Sequence, residues 1–262
     1  AVADGIDAIF ANPAGLTHIH KMEYSLSYTR WLVDSQIYSG AFAYTTQRGT
    51  LGLSVLAIRP PEMYETTIFQ PLGTGRKLSS GDISVGATYA RKMTDKLSFG
   101  LQLRWTQETL DSDRLSALDV NLGSYFETGF KSQRLAMVFQ NLGKDQKVFE
   151  FDYHMPVAFK FAFAMEALGK KGDPTYLTVT GENYYATDYA EPQYRLGGEL
   201  WLRNALALRG GYKFNFDVET FSLGAGVKYK IAKGREVRAD FAYSRFGNTF
   251  DPPLRFSLGG SF

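Results

Sequence analysis

Three histidines are the side chains in this sequence best suited to bind a transition metal: His18, His20 and His154. A protein zinc site needs three or four ligands drawn from cysteine, histidine and carboxylate side chains. The chain has no cysteine, and no cluster of carboxylates accompanies His18 and His20. We therefore interpret His18-x-His20 as part of a solvated turn and expect no metal site.

Two other segments carry part of the chemistry of an enzyme. Gly73-Thr74-Gly75-Arg76-Lys77 has the glycines and the lysine of a phosphate-binding loop, without the Walker spacing or the helix that must follow it. His154 lies near Asp152, as in some hydrolases, but nothing fixes a serine beside them. The acidic residues are scattered along the chain, and no carboxylate pair lies beside a nucleophile. We therefore expect no catalytic residue, no cofactor and no enzymatic activity.

The elements that would position such groups are strands, because apolar residues recur at every second position along most of the chain. Small, polar or charged residues lie between them. The clearest apolar runs are Leu97, Phe99, Leu101, Leu103 and Trp105; Val157, Phe159, Phe161, Phe163 and Met165; and Phe221, Leu223, Ala225, Val227, Tyr229 and Ile231. Aromatic residues make up 15% of the chain and glycine contributes 26 residues, a composition typical of strands, turns and bulges.

This alternation predicts an all-β fold: a transmembrane antiparallel β-barrel of about fourteen strands. The predicted strands are 22–33, 35–46, 49–59, 82–93, 96–109, 115–129, 133–142, 155–167, 174–185, 193–202, 205–215, 219–231, 235–246 and 253–262. A tilted strand needs about 9–11 residues to cross a bilayer. The lengths therefore favour a membrane barrel over a soluble β-sandwich or propeller. No run approaches the roughly 18 apolar residues of a transmembrane helix.

The predicted connections differ in length between the two ends of the barrel. We expect the second, fourth, sixth, tenth and twelfth to be tight. These are Gln47-Arg48, Thr94-Asp95, Lys131-Ser132, Arg203-Asn204 and Ala232-Lys233-Gly234. The third, fifth, seventh, ninth and thirteenth should be longer, the longest being 60–81. This asymmetry is typical of a bacterial outer-membrane barrel with both termini in the periplasm. The first connection, near Asp34, should be long by this pattern, but it looks short.

Charged residues lie mid-strand on the face opposite the apolar one, and we expect them to line the lumen. The predicted lumen-lining residues are Arg104, Asp119, Lys160, Glu199, Arg209, Lys213, Lys228, Arg238, Asp240 and Arg255. Opposite charges can pair across a lumen and fill it. The sequence therefore does not decide between a plugged interior and an open pore. The net charge of +2, from 29 basic and 27 acidic residues, gives no case for a nucleic-acid partner.

Both ends of the chain carry a recognisable pattern. Apolar and polar residues alternate along the last predicted strand. Its apolar residues Phe256, Leu258 and Phe262 resemble the C-terminal signal that the outer-membrane assembly machinery recognises. Near the other end, Asn12-Pro13-Ala14-Gly15-Leu16 forms a compact bend before the first strand. It resembles the N-terminal segment of the FadL superfamily of outer-membrane barrels, which folds into the barrel mouth. The resemblance implies a plug over residues 1–21 and a fourteen-stranded barrel over 22–262.

Within that superfamily the sequence is most similar to the PorV/PorQ branch. The similarity rests on the Asn12–Leu16 motif, on Trp31 and Asp34, and on segments of the C-terminal third. Those segments are Leu196-Gly197-Gly198-Glu199-Leu200-Trp201, Leu208-Arg209-Gly210-Gly211-Tyr212, Phe221-Ser222-Leu223-Gly224-Ala225-Gly226 and Arg255-Phe256-Ser257-Leu258. This branch implies a role as subunit or docking partner in a type IX-like secretion or surface-attachment assembly.

Two other functions fit the sequence. FadL-type members carry fatty acids or other hydrophobic molecules, and a plain diffusion porin needs only an open lumen. The chain is shorter than typical FadL-type and PorV-type members, and it has less of the N-terminal segment that builds a FadL-type ligand pocket. The second departure weakens the fatty-acid role. The expected partners are outer-membrane lipid, a protein of that assembly, and in the alternative a hydrophobic ligand.

Overall fold

The computed structural model describes residues 2–148, 151–188, 191–216, 218–232, 234–247 and 250–262, except for the side chains of 146–148 and 151–153. Its main feature is a closed antiparallel β-barrel of fourteen strands. Each barrel strand is hydrogen-bonded to the barrel strands that precede and follow it in the chain, and the first pairs with the last. The predicted fold class is confirmed.

The described residues contain eighteen strands, four of them short. In chain order they are β1 (Met22–Arg30), β2 (Gln36–Thr46), β3 (Gly49–Arg59), β4 (Met63–Tyr64), β5 (Lys77–Leu78), β6 (Ser80–Lys92), β7 (Leu97–Leu110), β8 (Asp113–Glu127), β9 (Arg134–Gly143), β10 (Gln146–Val148), β11 (Phe151–Tyr153), β12 (Ala158–Leu168), β13 (Tyr176–Ala186), β14 (Gln193–Leu202), β15 (Leu206–Phe214), β16 (Glu219–Ala232), β17 (Arg235–Phe246) and β18 (Leu254–Ser261). The pairs β4–β5 and β10–β11 form small sheets outside the barrel. All fourteen predicted strands are present, with ends displaced by three residues or fewer.

The outward face of the barrel is apolar, and its inward face is small and polar. On β3, Leu53 is 59% exposed whereas its neighbour Ser54 is 5% exposed. On β7, Leu103 is 48% exposed and Gln102 only 4%. This inversion of the usual burial pattern suits a wall whose outer side contacts lipid. Among the described residues, no helix has the length and apolarity needed to cross a membrane.

Two connections differ from the prediction. The fifth, predicted to be long, is a tight turn at Asp111-Ser112, where Asp111 has φ 57°. Aspartate tolerates this left-handed conformation, and so both flanking strands continue further than alternation alone indicated. The sixth, predicted to be tight, spans the residues between Glu127 and Arg134 and includes Gly129 at φ 81°.

The first strand also ends earlier than predicted, at Arg30. Val33 and Asp34 adopt φ 51° and φ 56° within a short 3₁₀ turn, Leu32–Asp34, which cannot continue a strand. We use "terminal rim" for the barrel end where β1 begins and β18 ends, and "far rim" for the opposite end. The longest connections, 60–79 and 144–157, lie at the far rim.

Candidate functional site

The residues before β1, here called the N-terminal segment (2–21), lie inside the barrel. The segment contains two 3₁₀ helices, Ile6–Phe10 and Pro13–His18. Its apolar side chains pack against inward-facing alanines of β2 and β6, and all are at most 7% exposed. This cluster consists of Ile6, Ile9, Leu16, Ile19, Ala41, Ala43 and Ala90. Full burial of each larger side chain contributes about 1.5–3 kcal/mol, so packing holds the segment on this side of the wall.

The Asn12–Leu16 motif shapes and anchors the second 3₁₀ helix. Asn12 has an extended backbone, and its Oδ1 accepts a hydrogen bond from the Ala14 N–H at 3.0 Å. Pro13 follows as the first helical residue, where its missing N–H has no cost. The Asn12 Nδ2 donates to the Ser124 carbonyl of β8 at 3.0 Å. One buried side chain therefore caps the helix and fastens it to the barrel.

Two glycines on the wall provide the space for this motif. Gly100 on β7 and Gly123 on β8 lie directly opposite each other in the register. A Cβ on Gly100 would lie 2.3 Å from the Ala14 nitrogen, and a Cβ on Gly123 would lie 2.0 Å from Asn12 Oδ1. The motif therefore touches wall backbone at a place where no side chain would fit.

A buried polar network joins the first 3₁₀ helix to β6–β9 of the wall. Gln102 Nε2 donates to the Ile9 carbonyl at 3.1 Å and to Thr88 at 3.0 Å. Asn121 Nδ2 donates to Gln102 Oε1 at 2.9 Å, and Asn121 Oδ1 accepts from the Asn141 N–H at 2.8 Å. Asn141 occupies a β-bulge of β9 with φ 61°. The network therefore links the segment to an irregularity in the barrel wall.

On the other side of the lumen the N-terminal segment is held by charge. Asp4 pairs with Lys171 in the connection before β13, and Asp7 pairs with Arg238 on β17. The Ile6 N–H donates to Glu23 Oε2 at 2.9 Å. Burial alone would raise the pKa of the Asp4 carboxyl, but Lys171, with His18 and Arg134 nearby, holds that pKa below its ordinary value. We call the Asp4–Lys171 and Asp7–Arg238 pairs the two straps.

The residues considered for chemistry are not assembled into a site. His18 packs against the Tyr125 ring at 4.5 Å and lies 3.4 Å from Glu127, whereas His154 pairs with Asp145 at 2.8 Å. The proposed partner of His154, Asp152, has its side chain outside the described residues. Arg76, in the glycine-containing loop, binds Asp111 at 2.6 Å. Over the described part of the chain, no group of three or more His, Cys, Asp or Glu side chains could hold a metal.

Beside the segment lies a cavity of about 1210 Å³. Its wall combines residues of the N-terminal segment with residues of β1–β3, β6, β9 and β12–β18. Most of the lining is polar or charged. An apolar patch is contributed by Phe10 of the segment, Ile37 of β2 and Leu56 of β3. Ile37 and Leu56 are diagonal neighbours on adjacent strands, because Ile37 is opposite Ile58 and Ser39 is opposite Leu56. The cavity is therefore amphipathic.

Six of the ten predicted lumen residues border this cavity: Glu199, Arg209, Lys228, Arg238, Asp240 and Arg255. Arg209 binds Glu199 at 2.6 Å and Asp240 at 2.5 Å. Arg104 and Asp119 pair with each other at 3.0 Å near the polar network. Lys213 pairs with Glu219, and Lys160 lies 5.5 Å from the Tyr184 ring. That all ten residues line the lumen remains a prediction.

The C-terminal residues lie at the barrel closure. Phe256 and Leu258 point outward, at 51% and 59% exposure. The Phe262 N–H donates to the Met22 carbonyl at 2.9 Å, and its ring stacks on Tyr24 at 6.0 Å. Recognition of these residues by the outer-membrane assembly machinery remains a prediction.

The sequence did not predict the two straps or the role of Gln102. For Gln102 the available signal was its polar side chain, which lies between the apolar Leu101 and Leu103.

No family model matches the sequence, and neither does any curated protein. Solved structures do match the fold over nearly the whole chain. The toluene transporter TbuX of Ralstonia pickettii is 14% identical with a TM-score of 0.64, covering 98% of this chain and 93% of that one. The toluene transporter TodX of Pseudomonas putida is 11% identical with a TM-score of 0.64, covering 98% and 93%. A FadL homologue of Pseudomonas aeruginosa is 10% identical with a TM-score of 0.57, covering 99% and 94%. This chain shares the fold of these outer-membrane β-barrels.

Proposed function

We propose that this chain is an outer-membrane channel that carries small hydrophobic molecules past the N-terminal segment. The observation that carries the proposal is the apolar patch of Phe10, Ile37 and Leu56 in a cavity whose lining is mostly polar or charged. A patch of this kind offers a hydrophobic solute a place out of water. The fold shared with two toluene transporters and a FadL homologue supports the same solute class. In this proposal the terminal rim faces the periplasm.

Uptake by whole cells tests this function. A Gram-negative host would express the protein, and entry of radiolabelled toluene would be compared with cells carrying an empty vector. We expect faster uptake with the wild type and a severalfold loss with the F10A/L56A double variant, which removes most of the patch.

The matched control is F42A/L53A. These two residues are of the same types, lie opposite each other on β2 and β3, and point outward at 43% and 59% exposure. The control should keep wild-type uptake. Cells that contain folded protein in the outer membrane but take up toluene no faster than the empty-vector cells would contradict the proposal.

A second candidate function is a docking role of the PorV/PorQ kind, in a secretion or surface-attachment assembly. It is favoured by the connection between β4 and β5 at the far rim, where Ile68, Phe69 and Leu72 are 95%, 94% and 102% exposed. Large apolar side chains this exposed often mark an interaction site. Purification from membranes of the native organism tests this. A partner lost in the I68S/F69S variant would support docking, whereas a wild-type protein that always elutes alone would argue against it.

A further inference from the structure

The cavity beside the N-terminal segment runs along most of the barrel height. Every inward-facing residue of β1 from Glu23 to Thr29 borders it, and that strand extends only from Met22 to Arg30. At about 3.3 Å per residue this stretch is about 20 Å long. On the opposite wall, the cavity follows β13 from Tyr176 to Glu182. It therefore reaches from the terminal rim towards the far rim.

The charged wall of this cavity requires water. Glu199 and Arg209 form an ion pair whose side chains are 34% and 33% exposed, and the Asp240 side chain in the same cluster is 22% exposed. Charges of this number in a dry cavity would cost several kcal/mol each. The volume of about 1210 Å³ gives room for water molecules on the order of tens.

The charges along the wall nearly cancel. Eight lysine or arginine side chains and seven aspartate or glutamate side chains border the cavity. Most of them are paired with a neighbour of opposite sign, as in the two straps and the Glu199–Arg209–Asp240 cluster. Arg255 has a different environment: its Nε donates to Thr29 Oγ1 at 3.1 Å, near the far rim. A lining in which positive and negative side chains are nearly equal in number attracts neither cations nor anions strongly.

We propose that the cavity is a water-filled path that conducts small ions and polar solutes through the barrel, with little preference for the sign of their charge. The path follows β1 and β13–β17, and the N-terminal segment forms its remaining side. This inference is independent of hydrophobic transport, which uses the apolar patch, and each can fail without the other.

Single-channel recording in planar lipid bilayers tests the path. Purified wild-type protein in KCl should give small, steady conductance steps, with a reversal potential near zero across a KCl gradient. Ser27→Trp places a bulky ring in the middle of the path and should lower the conductance severalfold. Leu26→Trp, one residue along the same strand, points outward at 62% exposure and should leave the conductance unchanged. Arg255→Glu should shift the reversal potential towards cation preference.

Two results would overturn the proposal. The first is no current above that of the empty bilayer, from wild-type protein that shows the heat-modifiable gel mobility of a folded barrel. The second is a steady current that Ser27→Trp and Leu26→Trp alter equally, or that neither alters, because the ions would then pass elsewhere.

Discussion

At the scale of single residues, the position of the N-terminal segment depends on two glycines of the barrel wall, which have no side chain. Gly100 and Gly123 let the Asn12–Leu16 motif contact the wall backbone, and each would clash with it if it carried a Cβ. The sequence identifies the motif, but nothing in it indicates which of its 26 glycines face the motif. That information requires the register of β7 against β8.

Gly123→Ala should displace the segment, because the new Cβ would lie 2.0 Å from Asn12 Oδ1 and 2.9 Å from Pro13 Cδ. The chain has no cysteine, so a cysteine introduced by Ala8→Cys is the only thiol that a maleimide can label. Ala8 is fully buried in the wild type, and the labelling rate of this cysteine therefore reports the displacement. We expect much faster labelling in the Gly123→Ala background. Gly198→Ala is the control, since its Cβ would find no atom closer than 3.7 Å. Equal rates in both backgrounds would show that the contact is not limiting.

Asn12→Ala should loosen the segment without any clash. It removes the acceptor for the Ala14 N–H and the donor to Ser124, and a buried group left unpaired costs about 1–3 kcal/mol. Labelling of Ala8→Cys should then rise by between about fivefold and about a hundredfold, because each 1.4 kcal/mol is about a factor of ten in the open population. Asn12→Asp keeps the acceptor and should give an intermediate rate. A rate unchanged by Asn12→Ala would contradict the anchoring role.

At the scale of elements, the segment is held in two different ways. Neutral packing and hydrogen bonds fix it to β2, β3 and β6–β8, whereas the two straps join it to the opposite side of the lumen. The strands themselves were predictable, since alternation is a local property. The straps were not, because Asp7 and Arg238 are separated by 231 positions in the chain. The Arg76–Asp111 pair was not predictable for the same reason, because its residues are separated by 35 positions and belong to different hairpins.

The Asp4 strap should weaken in acid. Because the folded state lowers the pKa of the Asp4 carboxyl, its pairing contributes fully above the ordinary aspartate pKa of about 3.9. The contribution is lost as the pH falls through the lower, folded-state value. A nitroxide spin label on Val2→Cys should therefore be immobile at neutral pH and become mobile in acid below about pH 4, as read from its electron paramagnetic resonance line shape.

Lys171→Met should make the same label mobile at every pH, because it removes the partner of Asp4. Lys170→Met is the matched control: it is the neighbouring lysine, and its backbone N–H binds Asp173. A label that stays immobile in the Lys171→Met variant would mean that packing alone holds residues 2–5.

At the scale of the whole molecule, the barrel is determined by which face of each strand is apolar and by the pairing of the two chain ends. Both are visible in the sequence: alternation runs through all fourteen barrel strands, and an aromatic residue that contacts β1, Phe262, follows the last strand. The lumen is less predictable. Six of ten charged residues chosen from alternation border the cavity, but the cavity's size and position depend on where the segment packs.

A lipid-facing wall makes the cost of a charge depend on its depth, and this separates a membrane barrel from a soluble one. Leu53 lies near the middle of β3, whereas Ile231 is the next-to-last residue of β16; both point outward with similar exposures, at 59% and 62%. Arginine on the lipid face costs about 2–4 kcal/mol at the bilayer midplane and about 0–1 near the interface. Leu53→Arg should therefore reduce the free energy of unfolding in lipid vesicles by several times more than Ile231→Arg. In a soluble barrel both residues would already face water, so two equally small losses in guanidinium titrations would refute the membrane assignment.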